Sequence, residues 1–425
     1  MAVQSAFGTI SILSTDTVGT DKVISGLAFQ PKVIFFWGSG ATSGTDAMEA
    51  GDYRAGFGFA ISPTARRAVG GFSDHAVATT SCRAMYSDVG VFVTGTTAID
   101  GALDLESIES AGFTCTIDDQ FPVNHRVHWL AIGGPEIVDL AIGSFQTPAA
   151  AGTQDVTDVG FEPDFVFFAK AGRSANPAPD NVQDGMLGFG AWSDVGQWTV
   201  AVDGNTAVAL GTTQTMRYQR SGECLSGFNA ASTAIEARAT LTGALSNGFR
   251  LNWLEVGGTS TWNFYLAMRG GGYASKMGDF TNTLNENITV SGFGFEPSCC
   301  MVFSTVAAED AVDTPRDHNI LSIGFASSPS SRGAMYARDT DAQGTNTACA
   351  RGVEYDAVLV SESGAVVDGL MDLQSFNADG ATFIMDDAFP AAGKFMVIAF
   401  GPPTVSHFPH EGTKPWSTIW RPGRA

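Results

Sequence analysis

The chain has 425 residues, 23 of them basic and 44 acidic, and a net charge of −21. That balance argues against nucleic acid and anionic membrane as natural partners, because both need basic surface. Hydrophobic residues make up 44% of the chain, enough for several cores, and the length suggests about three domains.

Gly (50) and Phe (30) are both abundant. Gly serves turns and close backbone approach, and Phe favours strands. The pairing predicts short strands joined by tight turns. The first 20 residues hold neither a basic region nor a continuous apolar run. The expectation is that they are no secretory signal. The apolar run Val33–Trp37 is far too short to cross a bilayer.

A first signature appears three times, as GLAFQPKVIFF from Gly26, GFEPDFVFF from Gly160 and GFEPSCCMVF from Gly294. Each is a turn closed by Pro31, Pro163 or Pro297, placed where a strand begins because Pro cannot donate within a ladder. The apolar run behind it predicts a strand covered on both faces. A second signature follows about 25 residues later. It reads GFGFAISP from Gly56, LGFGAWS from Leu187 and IGFASSP from Ile323.

A third signature ends each copy. It holds Gly112-Phe113 and Trp129-Leu130-Ala131, then Gly248-Phe249 and Tyr265-Leu266-Ala267, then Gly380-Ala381 and Val397-Ile398-Ala399. Residues 100–122 and 368–390 align without a gap, with 11 of 23 positions identical. The copies run 1–134, 135–270 and 271–402, and residues 403–425 form a tail. A period this long predicts whole domains in series. Seven or eight strand-like segments per copy, with few amphipathic helical runs, predict an all-β chain of three tandem homologous antiparallel β-sandwich domains. An arrangement about a pseudo-threefold axis is the expected outcome of three like units.

Three stretches differ in sequence while their flanks match: Ser39–Ala55, Gly172–Gly185 and Thr305–Asn319. Variable loops on a shared scaffold are where binding is placed, with drift in unconstrained loops the competing reading. The tail carries Trp416, Trp420, Arg421 and Arg424 among several prolines. Prolines keep it extended, and exposed Trp is a solubility liability. These four residues are therefore the expected partner-binding set, either on a neighbouring subunit or on the chain's own third copy.

Catalytic signatures are missing: there is no phosphate-binding loop, nucleophile elbow, paired Cys-x-x-Cys or His-Glu-x-x-His. His125 and His128 lie three apart on a predicted strand, so they point to opposite faces and do not chelate one ion. Asp118-Asp119 and Asp386-Asp387 recur before Phe-Pro and are the calcium candidates, since adjacent carboxylates supply oxygen ligands. The competing and favoured reading is a turn in which Asp bonds nearby backbone. The second copy has Leu254-Glu255 there instead. The six cysteines occupy mostly unmatched positions, which predicts buried free thiols. No enzyme activity, cofactor or established metal site is expected.

The end of each copy resembles the H-type lectin pattern, best from Gly112-Phe113 to Trp129-Leu130-Ala131-Ile132-Gly133. That resemblance implies a small antiparallel β-sandwich that binds sugars, commonly as a trimer. No sugar-binding residue is carried over. The whole repeat is similar to β-rich virion proteins of tailed bacteriophages, including tail, spike and decoration proteins. This resemblance implies a structural component on the outside of a particle, made in the host cytoplasm. Its partners would be other virion proteins or copies of itself. The alternative is a carbohydrate-binding receptor or adhesion protein recognising surface glycans.

Overall fold

The computed structural model describes residues 3–42, 47–75, 81–95, 99–174, 182–183, 185–205, 214–229, 232–340, 349–363 and 366–403. All regular structure among them is β. None of them forms a helix long and apolar enough to cross a membrane.

The first segment holds Gln4–Ile12 (β1), Asp21–Ser25 (β2), Pro31–Gly38 (β3), Ala47–Ala50 (β4), Tyr53–Ser62 (β5), Ala65–Ser73 (β6), Ser81–Tyr86 (β7), Val91–Thr94 (β8), Ile99–Glu109 (β9), Gly112–Asp119 (β10) and His125–Gly133 (β11). The second holds Asp139–Gln146 (β12), Gly152–Val156 (β13), Phe165–Lys170 (β14), Val182–Gln183 (β15), Gly185–Ser193 (β16), Gly196–Gly204 (β17), Thr215–Ser221 (β18), Leu225–Phe228 (β19), Ile235–Leu245 (β20), Gly248–Glu255 (β21) and Trp262–Arg269 (β22). The third holds Gly272–Phe280 (β23), Asn287–Ser291 (β24), Cys299–Ala307 (β25), Arg316–Asp317 (β26), Asn319–Ser328 (β27), Ser331–Asp339 (β28), Cys349–Glu354 (β29), Leu359–Ser363 (β30), Val366–Asn377 (β31), Gly380–Asp387 (β32) and Gly393–Gly401 (β33).

Eleven strands per segment exceed the seven or eight expected. The difference lies in pieces of two to five residues, too short to show an alternation of their own. Among these, β4, β15 and β26 form only by pairing with another segment.

Each segment builds one large and one small sheet. The large sheets run β1-β11-β3-β5-β6-β7, β12-β22-β14-β16-β17-β18 and β23-β33-β25-β27-β28-β29. Each then gains a seventh strand from elsewhere in the chain: β15 on β7, β26 on β18 and β4 on β29. The small sheets run β2-β10-β9-β8, β13-β21-β20-β19 and β24-β32-β31-β30.

The strand after each Pro is covered on both faces, as its apolar run predicts. Val33, Phe35 and Trp37 join one large core shared by all three segments, whereas Ile34 and Phe36 pack on the small sheet through Leu103, Leu105 and Phe113. Phe165, Phe167 and Ala169 repeat the shared-core placement, and Val166 and Phe168 the small-sheet one. In the third segment Cys299, Met301 and Phe303 face the shared core, and Cys300 and Val302 face the small sheet. The vicinal thiols Cys299 and Cys300 therefore sit in different cores. Five of the six cysteines, Cys115, Cys224, Cys299, Cys300 and Cys349, are buried free thiols.

The second signature's glycine is explained by contact between the sheets. A Cβ on Gly58, Gly190 or Gly324 would lie 1.7, 1.9 or 2.0 Å from the carbonyl oxygen of Gly90, Cys224 or Val358. The small sheet's last strand can approach only a backbone without a side chain there. Replacing any one of the three by Ala is expected to destabilise the protein by about 1–3 kcal/mol or more. Gly243→Ala, where nothing lies within 4 Å of the new Cβ, should change stability by no more than about 0.5 kcal/mol. Thermal unfolding of the four variants checks this. Equal effects at Gly243 and at the matched glycines would contradict it.

Candidate functional site

The site that the fold builds is the ring of contacts where the three segments meet. It has two parts, an aromatic core and three strand-exchange joints. In the core, Phe57 lies 5.5 Å from Phe167, 5.1 Å from Phe189 and 5.8 Å from Phe303 between ring centroids, so one side chain touches the other two segments. Phe35 adds Phe167 at 5.9 Å and Phe400 at 6.1 Å. Phe189 and Phe303 close the triangle at 5.6 Å.

The joints all run in one rotational sense. The first segment's sheet receives β15 from the second, the second's receives β26 from the third, and the third's receives β4 from the first. The edge strands follow the same sense: β12 packs on β5 and β6, β23 on β16 and β17, and β1 on β27 and β28. Three head-to-tail contacts thus close into a ring instead of propagating.

At each joint the receiving strand presents an arginine in the same register. Arg83 is opposite Val182, Arg217 opposite Arg316, and Arg351 opposite Glu49. Arg351 binds Glu49 Oε2 at 3.4 Å and the Asp52 carbonyl at 3.2 Å. Arg217 donates to the Thr305 carbonyl at 3.0 Å. Burial lowers the pKa of Arg217 and Arg351, the latter also through Arg54. The sequence reading missed this arginine, although it stands third in SCRAMY, TMRYQR and CARGVE, because the residues around it do not match.

Where the third segment meets the second, several polar side chains cross the joint. Gln219 donates from its amide to the Ala307 carbonyl and accepts from Thr305 N–H at 3.0 Å. Asp310 accepts from Gln219 N–H at 2.8 Å and Arg316 at 2.5 Å, while burial raises its pKa. Arg238 reaches Glu223 at 3.0 Å and Asp313 at 2.8 Å. Val306, Asp313 and His318 hold positive φ of 52°, 54° and 72° in this arm. Such backbone costs of order 1–3 kcal/mol per residue and persists where surrounding contacts enforce it. At the first-to-second joint the buried Lys170 amine is pushed down to about 8 by burial and by Arg83.

The three variable stretches, read as binding loops or as loops free to drift, supply these exchanged strands. Residues 39–55 contain β4, 172–185 contain β15, and 305–319 contain β26. Asp118, Asp119, Asp386 and Asp387 are exposed at the ends of β10 and β32. Among the described residues no group of three or more His, Cys, Asp or Glu is placed to hold a metal ion. His125 packs on Phe121 at 4.9 Å and His128 on Phe7 at 5.0 Å, on opposite faces of β11. Trp416, Trp420, Arg421 and Arg424 lie outside the described residues.

Two matched ion pairs tie large sheet to small. Asp104 binds Arg66 at 2.8 Å and Gly90 N–H at 3.1 Å, and Asp372 binds Arg332 at 2.6 Å. The second segment substitutes Gln197, which accepts from Leu241 N–H at 2.9 Å.

No protein-family model matches this chain, and no curated protein matches it. Among solved structures, the chain is similar to the crystal structure of Pseudomonas aeruginosa OccK7 (OpdD) at 10% identity, covering 95% of this chain and 98% of that one, with a TM-score of 0.13. A second is Pseudomonas aeruginosa OccK5 (OpdH), at 9% identity, 92% and 99% coverage and a TM-score of 0.11. Scores this low carry no argument about fold or function.

Two predictions follow from the geometry. Phe57→Ala should cost about 3–5 kcal/mol, measured by denaturant unfolding, because it empties a fully buried position that touches both other segments. A loss below about 1 kcal/mol would show that the core is not a shared one.

The second concerns pH. Burial raises Asp104 and Asp372 from 3.8 to about 6 against the pull of their arginines. Their contribution favours the fold below pH 3.8 and is lost as pH rises through about 6. Burial lowers His125 and His128 from 6.5 to about 4, with the opposite sign. Their contribution is present above pH 6.5 and lost as pH falls through about 4. The double variant D104N/D372N should therefore lose Tm more steeply than the unaltered chain between pH 6 and 4. Parallel Tm curves would contradict the assignment.

Proposed function

We propose that this chain is a non-enzymatic structural component on the outside of a tailed bacteriophage particle, a decoration, spike or tail protein. In this reading it consists of three tandem homologous sandwich domains, 1–134, 135–270 and 271–402, set about a pseudo-threefold axis. Residues 403–425 are its docking arm. The observation that carries the reading is the cyclic strand exchange, by which one chain closes into a body with the contacts of a trimer. Such a body fits a threefold or pseudo-threefold position on a symmetric particle.

Further support comes from the use of the variable stretches. They go into the joints, which favours a scaffold over a recognition surface. Among the described residues the exposed large apolar side chains are Leu and Val, such as Val23 and Val366, with no aromatic among them. The arm's Trp416 and Trp420 are the proposed anchors on a neighbouring virion protein or a second copy.

Mass spectrometry of purified particles tests the proposal, together with reassembly of a chain truncated after residue 402. The chain is expected in the particles, and truncation is expected to abolish attachment with Tm unchanged. Binding to a glycan panel combined with absence from particles would overturn it in favour of the lectin-like reading.

A further inference from the structure

The three joints share one strand-exchange pattern but differ in covalent terms. The first and second segments are linked through residues 134–138, and the second and third through 270–271. The third and first have no peptide between them. Their joint is held by β4 on β29, by Trp37 Nε1 donating to the Met335 carbonyl at 3.2 Å, by Ser39 Oγ donating to the Gly352 carbonyl at 3.0 Å, and by Ser5 Oγ donating to the Ser298 carbonyl at 2.8 Å. This is the one joint that can open without stretching a linker.

His128 lies in that joint. It stands opposite Thr9 and Trp37, where the second segment has Phe264 opposite Ser144 and Ala169. The third segment has Met396 there, opposite Met277 and Phe303. An ionisable ring therefore replaces an apolar side chain in one of three matched places. The ring is fully buried, with Phe7 at 5.0 Å and Tyr355 at 5.5 Å. Its Nε2 faces the Glu354 carbonyl at 3.2 Å, which can only accept, so Nε2 carries the proton. Nδ1 then accepts from the Thr9 hydroxyl at 2.8 Å.

Of the elements packed against it, β1 brings Phe7 and Thr9, β28 brings Gly333 and Ala334, and the end of β29 brings Glu354 and Tyr355. Glu354 and Tyr355 are the ionisable groups among these. At the exchanged strand itself the charged or titratable groups among the described residues include Arg351, Glu49, Asp52, Arg54, Asp339, the Cys349 thiol and His75, with Cys349 N–H donating to His75 Nδ1 at 3.0 Å, and His125 on the other face of β11 interacts with Arg54, Arg351 and Glu49.

We propose that the joint between the third and first segments is an acid-opened gate, in which protonation of His128 separates β1 and β4 from the third segment's sheet. The neutral ring is the one this packing accepts, and burial holds His128 at about 4, well below its ordinary 6.5. In the open state the ring reaches water and takes up its proton. Opening leaves β29 as a free sheet edge, a surface suited to pairing with another strand.

Hydrogen–deuterium exchange of the full chain between pH 7.5 and 4.5 tests the gate. Amides of residues 350–353, opposite β4, are compared with residues 82–83, opposite β15, and 216–217, opposite β26. After correction for intrinsic exchange, the opening constant at 350–353 should rise by up to about tenfold per pH unit between 6.5 and 4. The other two joints should stay flat, and His128→Gln should abolish the rise. An equal rise at all three joints, or an unchanged rise in H128Q, overturns the proposal. Should H128Q fail to fold, the comparison of joints in the unaltered chain still decides. A His128 ring titrating near 6.5 by NMR in the closed protein also overturns it.

Discussion

A sheet edge exposes a row of unpaired N–H and C=O groups, and proteins must cover it. In this chain the edges at β7, β18 and β29 are each covered by a strand borrowed from the next segment. The rest of the structure depends on that constraint. Because the borrowing runs in one direction three times, the last loan returns to the first segment and the ring closes. Closure brings the inner faces of the three large sheets together, and the phenylalanine core is what fills the space between them. A sandwich taken alone would leave Phe35, Phe57, Phe167 and Phe189 facing water.

The unusual chemistry of the molecule follows from the same closure. The buried arginines, the positive-φ residues of the 305–319 arm and the two depressed histidines lie where chain has been drawn across a joint or into a core. Buried charges need partners, and here those partners are carbonyls and carboxylates of the adjoining segment. Arg351 with Glu49 and Arg217 with the Thr305 carbonyl are of this kind, and the Asp310 carboxylate in turn accepts from Gln219 N–H. Perturbed groups cluster at catalytic sites in many proteins. Here the perturbed arginines Arg217 and Arg351 lie at the joints between segments.

The segments are alike in framework and unlike in detail, and the detail has a physical cause. The glycines at 58, 190 and 324 match because each faces a carbonyl oxygen at the same close distance. The exchanged stretches do not match, and they meet three different receiving strands: β4 meets β29, β15 meets β7 and β26 meets β18. His128, Phe264 and Met396 show the same divergence at matched places in the core.

The sequence by itself determined the all-β class, the threefold recurrence of its signatures and the two-sided burial of the strands after Pro31, Pro163 and Pro297. These are local matters: strand period, turn chemistry and apolar runs act within a few residues and repeat with the copies. It also determined that His125 and His128 face opposite ways, since alternation along a strand is fixed by its pleat. Tertiary structure alone decided that the variable stretches are exchanged strands, that Arg83, Arg217 and Arg351 share one register, and that the three large sheets bury a common core. Those facts depend on pairing between residues up to about 300 positions apart in sequence, such as Arg351 with Glu49. A strand of two to four residues carries no periodicity from which its partner can be read.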